Sequence, residues 1–141
     1  MSHDSVLLEL TDPRSELGNI RHVLSEFGRR HDLSAALVFD VALAIEEVVT
    51  NVVSHGVTDQ GALRITISLR LETADLRIQV TDSGRPFNPL VVPSPNTQLP
   101  LEDRPVGGLG VHLVRSLMDD VVYRREDGKN TLTMRRRRVV S

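Results

Sequence analysis

The chain has 141 residues, 40% of them hydrophobic and 26% charged, a balance that suits a globular fold and excludes a disordered or membrane-embedded one. A formal charge of −2 gives no general attraction to nucleic acid or anionic lipid, and three Phe, one Tyr and no Trp leave few rings on which bases could stack. The absence of cysteine rules out disulfides and thiolate metal sites and suits a reducing compartment.

The opening "MSHDSVLLELTD" is acidic, and its apolar run is too short for a signal peptide. No segment approaches the ~20 apolar residues of a bilayer span, so the expectation is a single cytoplasmic domain over residues 1–141. Ser5 to Leu10 reads as a short strand. Asp12-Pro13 then signals a helix start, and Leu17, Ile20, Leu24 and Phe27 recur at helical spacing, so an amphipathic helix is expected from Pro13 to about His31. Ser34 can cap a second helix with Val38, Val41, Ile45, Val48, Val49 and Val52 on its buried stripe, closed by Gly56.

The period then changes. Leu63, Ile65, Ile67, Leu69 and Leu71 alternate with polar residues, and Leu76, Ile78 and Val80 continue the alternation after "ETAD", which predicts a β-hairpin with one apolar and one wet face. Pro86 to Pro105 holds six of the seven prolines, an irregular stretch of a length that is usually functional, and residues 85–106 are expected to form a lid. "GGLGVHLVRSLMDD" reads as a Gly-rich turn opening a helix with Val111, Val114 (or Leu113) and Leu117 inward. Val121 to Arg125 and Thr131 to Arg136 form a last hairpin around "EDGK". This order predicts an α+β two-layer sandwich, helices covering a mostly antiparallel sheet.

Chemistry enters through three short motifs. In "AIEEVVTNVVSHG", Glu47 and Asn51 lie four residues apart and share a helix face, with His55 one turn further, while Glu46 points a quarter turn away toward the surface. An isolated Glu-x-x-x-Asn is most often a solvated face. Here the residues around it are β-branched and apolar, and an amide oxygen beside a carboxylate suits a different task. The oxygen can ligate Mg²⁺ and the carboxylate can accept a hydroxyl proton. Asp82-Ser83-Gly84 at a strand end is ordinary turn chemistry, yet Asp82 can also accept from an exocyclic amine while Gly84 lets a flat ring approach. "VGGLG", Val106 to Gly110, is a tight turn or, at the mouth of a helix, a cradle of N–H groups for phosphate. The run Arg135 to Arg138 closes a strand in a net acidic chain and is read as structural rather than as a nucleic-acid patch.

In this order, Glu-x-x-x-Asn, Asp-x-Gly, a Pro-rich lid and Gly-Gly-Leu-Gly resemble the N, G1 and G2 boxes of the Bergerat ATP-binding fold. Histidine kinases, gyrase, the ninety-kilodalton heat-shock chaperone and mismatch-repair ATPases share that fold. The small size and "EEVVTNVVSHG" look most like the bacterial anti-sigma factor serine/threonine-protein kinases. The resemblance runs from Val6 to about Arg136 and implies ATP and Mg²⁺ as cofactors. It also implies phosphorylation of a STAS-type anti-sigma antagonist in alternation with binding of a sigma factor, and a homodimer. Carried over by position, it makes Glu47 the general base, Asn51 the Mg²⁺ ligand, and Asp82 with Gly84 the adenine pair, with Thr131 assisting through water. Gly107, Gly108 and Gly110 become the phosphate turn. The family's arginine ahead of Gly-x-Gly falls at Val106, and Arg104, two residues away, is the cation available in its place. The alternative reading is a nucleotide-gated binding module that sequesters a partner without phosphoryl transfer.

Overall fold

The computed structural model describes residues 5–11, 13–55, 64–91 and 108–137. In chain order they form β1 (Ser5–Leu10), α1 (Pro13–Arg30), α2 (Ala35–His55), β2 (Ile65–Leu71) and β3 (Asp75–Asp82). After a short 3-10 turn (Pro89–Val91) come α3 (Gly108–Leu117), β4 (Asp120–Glu126) and β5 (Lys129–Arg137). The strands make one five-stranded sheet in the order β1-β2-β3-β5-β4, and every neighbouring pair is antiparallel. The helices pack against the sheet through one apolar face, the α+β sandwich that the two hydrophobic periods predict.

Helix α1 forms because Ile20, Leu24 and Phe27, spaced at three and four residues, all go into the core. Removing each of these side chains from water contributes about 1.5–3 kcal/mol before entropy is charged against it. Glu16 in its first turn and Arg29 and Arg30 in its last complement the helix dipole. The helix stops in a Schellman arrangement: Asp32 is left-handed (φ 54°) and the Leu33 N–H reaches back to the Gly28 carbonyl at 2.9 Å. Ser34 then caps α2 as its position implies, its Oγ accepting the Leu37 N–H at 3.1 Å. Asp12 and Gly56, the expected start and stop residues of α1 and α2, lie outside the described residues.

Helix α2 is the central element, packed against α1, α3 and β3. That placement explains a helix built from poor helix formers. Val41, Ala44, Ile45, Val48 and Val49 are all buried, and tertiary packing outweighs their modest intrinsic preference. In the sheet the expected alternation is met residue for residue on β2, where Ile65, Ile67, Leu69 and Leu71 are buried; Leu63 lies outside the described residues. The second hairpin is longer than the sequence reading. Asp127 (φ 53°) and Gly128 (φ 74°) both take the left-handed conformation, which matches a two-residue turn of the kind that twists with its strands, so pairing continues to Glu126↔Lys129.

The arginine run is used within the fold. Arg135 pairs with Asp120 at 3.3 Å and Asp75 at 3.7 Å. Arg136 turns the other way, pairing with Asp40 of α2 at 3.0 Å and donating to the Leu117 carbonyl at the end of α3 at 2.6 Å. Arg138 lies outside the described residues.

Helices α1 and α2 touch closely at Gly28. A Cβ built there would stand 2.5 Å from Val38 Cγ2, so in Gly28→Ala either the Val38 side chain or the helix crossing must shift, despite the better helix propensity of alanine. The expected outcome is a loss of about 1–3 kcal/mol in urea denaturation. A stabilised variant would show that the crossing has slack.

Candidate functional site

Among the described residues three polar side chains are buried, Asn51 (6% exposed), Asp82 (5%) and Asn130 (5%). All three line the same pocket. A buried polar side chain is the informative exception in a protein interior, and three of them converging in one cavity make a site. The rest of the lining is apolar. Val48 and Val52 come from α2, Val80 and Leu132 from the sheet, Val114 from α3, and Phe87 and Tyr123 supply rings. An apolar slot with a few convergent polar groups is the usual form of a small-molecule site.

Asp82 is the last residue of β3. Its Oδ1 accepts the Gly84 N–H at 2.9 Å and the Asn130 amide at 3.0 Å. Burial pushes the Asp82 carboxyl above the usual aspartate range, opposed by the Asn130 hydrogen bond, the Gly84 N–H and the Arg125 charge. Gly84 is therefore the turn that fixes Asp82. It does not itself line the pocket, and its carbonyl accepts from Arg125 at 2.8 Å.

Asn51 sits on α2 across the slot from the strand ends. Glu47, one turn earlier, is half-buried outside the described lining. Glu46 is the surface member of the pair, held by Arg21 of α1 at 2.8 Å. Gly108 and Gly110 fall in the first turn of α3, where helix N–H groups lack intrahelical partners. Gly107, Arg104 and Val106 lie outside the described residues, as do residues 92–106 of the expected lid and the side chain of His55.

Thr131 is not brought to the pocket. Along β5 the side chains of Asn130, Leu132 and Met134 are buried under the helices, and Thr131 points to the opposite face of the sheet, its Oγ1 3.3 Å from Thr81 Oγ1. Strand alternation puts neighbours on opposite faces, so the residue of this turn that reaches the slot is Asn130. Sequence reasoning also missed Tyr123, whose hydroxyl donates to Asn130 Oδ1 at 2.6 Å. The signal was present, because residue 130 shares its parity with the apolar Leu132 and Met134.

Residues 11–136 match the histidine kinase-like ATPase domain. The chain belongs to that family. It is 31% identical to the serine/threonine-protein kinase BtrW of Bordetella bronchiseptica, over 95% of this chain and 94% of that protein. It is 30% identical to the serine-protein kinase RsbW of Halalkalibacterium halodurans, over 89% of this chain and 80% of that one, and these similarities place it among the anti-sigma kinases. An anti-sigma F factor from Clostridium acetobutylicum is 28% identical over 79% of this chain and 77% of its own length. The fold recurs in the RsbU and RsbW domains of a Mycobacterium tuberculosis protein (TM-score 0.63, 20% identity). That match covers 94% of this chain but 32% of the longer one. It also recurs in the catalytic domain of the histidine kinase ThkA (TM-score 0.53, 11% identity), covering 94% of this chain and 97% of that one. No helix among the described residues is long and apolar enough to cross a membrane.

The raised Asp82 pKa has a sign that can be measured. Folded Asp82 holds its proton more tightly than unfolded Asp82, so its stabilising contribution is full below the unfolded value of 3.8 and is lost as pH rises through the folded pKa. Asp82→Asn keeps an acceptor oxygen for Gly84 and Asn130 but carries no charge. Denaturation between about pH 3.5 and 7 should therefore show the native protein losing stability relative to Asp82→Asn as pH rises. A relative gain for the native protein would contradict this sign.

Proposed function

We propose that the protein is an ATP-dependent serine kinase that phosphorylates a STAS-type anti-sigma antagonist, in alternation with binding a sigma factor in the cytoplasm. The observation that carries the reading is the meeting of Asn51 and Asp82 in one apolar slot within a chain 31% identical to a serine/threonine-protein kinase over 95% of its length. The apolar walls accept a flat base, and the buried Asp82 carboxylate accepts a hydrogen bond from its exocyclic amine. Asn51 opens the way from the base toward the phosphates, which the first turn of α3 at Gly108 and Gly110, with Gly107 before it, receives through backbone N–H groups.

The donor set at Asn51 fits Mg²⁺. Its amide oxygen is a hard ligand at the edge of the slot, and a carboxylate stands one turn away on the same helix. Asn51 would hold the ion together with the nucleotide phosphates, and when bound the ion neutralises charge on those phosphates. Glu47 takes the proton from the acceptor serine hydroxyl as the serine oxygen bonds to the γ-phosphorus of ATP and the bond from that phosphorus to the bridging oxygen breaks, releasing ADP. Arg104 on the lid supplies positive charge where the family's arginine is replaced by Val106.

A second reading is favoured by the similarity to an anti-sigma F factor. In it the chain sequesters a partner under nucleotide control and transfers nothing. The experiment that separates the two follows γ-phosphate label from ATP–Mg²⁺ to a STAS-type antagonist. Glu47→Gln should lower the transfer rate by about 10²–10⁴ while leaving ATP affinity within a small factor, because it removes only the proton acceptor. Asn51→Ala should instead weaken ATP binding in the presence of Mg²⁺. Native protein that binds ATP but labels no antagonist would decide for sequestration.

A further inference from the structure

The polar side chains of the slot are almost sealed from solvent. Asn51, Asp82 and Asn130 are all buried, and the space between the walls is about 30 Å³, room for about two water molecules and not for a bicyclic base. A wall must therefore move before a nucleotide can reach Asp82. Three of the walls are poorly placed to do so. The floor is hydrogen-bonded sheet, β3 paired to β5 and β5 to β4 along their lengths. Helix α2 carries Val41, Ala44, Ile45 and Val49 into the core, and its displacement would expose them. Helix α3 is held at its end by Arg136, which donates to the Leu117 carbonyl at 2.6 Å while paired with Asp40 of α2 at 3.0 Å.

The fourth wall is the strap from Gly84 to Leu90, which contributes Phe87, Pro89 and Leu90 to the lining. Irregular chain must find partners for its backbone groups one by one, and here side chains supply them. Arg125 donates to the Gly84 carbonyl at 2.8 Å. The Asn130 amide donates to the Arg85 carbonyl at 2.9 Å and accepts the Phe87 N–H at 3.4 Å. These bonds fix the first half of the strap to the floor. Among the described residues the second half is hydrogen-bonded to the rest of the molecule at one point, where Arg115 Nη2 of α3 donates to the Leu90 carbonyl at 2.9 Å. Asn88 Oδ1 accepts the Leu90 N–H at 2.9 Å, a bond internal to the turn, so Asn88 to Leu90 can swing as a unit beyond Phe87. Along the seam with α3, Leu90 and Val114 meet the slot, while Arg115 is exposed. Parting the seam returns the guanidinium and the carbonyl to water, so it costs one net hydrogen bond rather than a buried unpaired group.

We propose that Arg115 is an autoinhibitory latch: it holds the slot shut, and nucleotide enters by parting Leu90 from α3. This rests on the reading of the slot as a nucleotide site and adds to it the contact that restrains its loading. The bond joins two groups of the chain itself and is given up when the wall swings out to make room, so it favours the shut form over the loaded one. A protein whose competent form is only a fraction of the whole binds with an affinity reduced by that fraction. Removing the latch raises the fraction, and affinity then rises although a contact has been lost.

The test titrates the whole chain with ADP and Mg²⁺ by calorimetry and follows methylanthraniloyl-ADP by stopped flow, for the native protein, Arg115→Met and Arg115→Lys. Methionine keeps an apolar stem and removes every donor. Arg115→Met should bind ADP about three- to tenfold more tightly, the scale of one net hydrogen bond. The gain should appear in the association rate, which a required conformational change slows, with the dissociation rate little changed. Arg115→Lys, which keeps a donor of similar reach, should fall between the two. Thermal melts without nucleotide should be nearly the same for all three, because the side chain is exposed. The sign decides the matter: loss of a positive charge works against an anionic ligand, and a residue that only supported the fold would lose affinity on substitution. Unchanged or weaker ADP binding by Arg115→Met, beside native protein that binds ADP, would overturn the latch and leave the nucleotide site standing. Native protein and variants that all fail to bind ADP would remove the nucleotide reading, and this inference with it.

Discussion

The carboxylate of Asp82 is held where there is little water to solvate it, and the surrounding structure compensates. A buried charge without partners costs several kcal/mol, and here the Gly84 N–H, the Asn130 amide and the nearby Arg125 offset part of that cost. Each partner belongs to a different piece of chain: the turn after β3, the start of β5, and β4. The ends of three adjacent strands are thus brought to one point. This is why the slot has a rigid floor even though it opens between a sheet and a helix layer.

The opposite wall is α2, and its packing sets how near Asn51 stands to that floor. A helix this rich in valine would be marginal alone, and it is held by burial on three sides. Arg136 adds a fixed strut, linking the end of β5 to Asp40 on α2 and to the final carbonyl region of α3. The arginine run, read as structural in the sequence, is so at Arg136, which registers the helix layer on the sheet and so positions the two sides of the slot relative to each other.

Most of this architecture was legible because it follows from hydrophobic period. Leu17, Ile20, Leu24 and Phe27 mark α1, and the strict alternation in β2 leaves no other assignment; even the cap at Ser34 could be read from its place before the apolar stripe. What was not legible depends on parity and on distance along the chain. The assignment of Thr131 to the site followed a motif, whereas the Asp127-Gly128 turn fixes the pairing Arg125↔Asn130 and so decides which neighbour faces inward. The partnership of Asn130 with Asp82, 48 residues apart, leaves no trace in local spacing. The bond from Arg125 to Gly84 is equally silent, since an arginine on an edge strand looks like any solvated charge.

The walls of the slot come from both layers of the molecule, α2 and α3 above and β3, β4 and β5 below. A ligand seated there touches two of the three helices and three of the five strands, which separate when the chain unfolds, and it has nothing comparable to bind once they have. Occupancy is therefore coupled to the folding equilibrium of the whole domain: at a free concentration a hundred times its dissociation constant, a ligand adds about 2.7 kcal/mol to stability. For a domain of this size that is a substantial share of the total. The metabolic level of the ligand would then govern how long the protein persists as well as what it does.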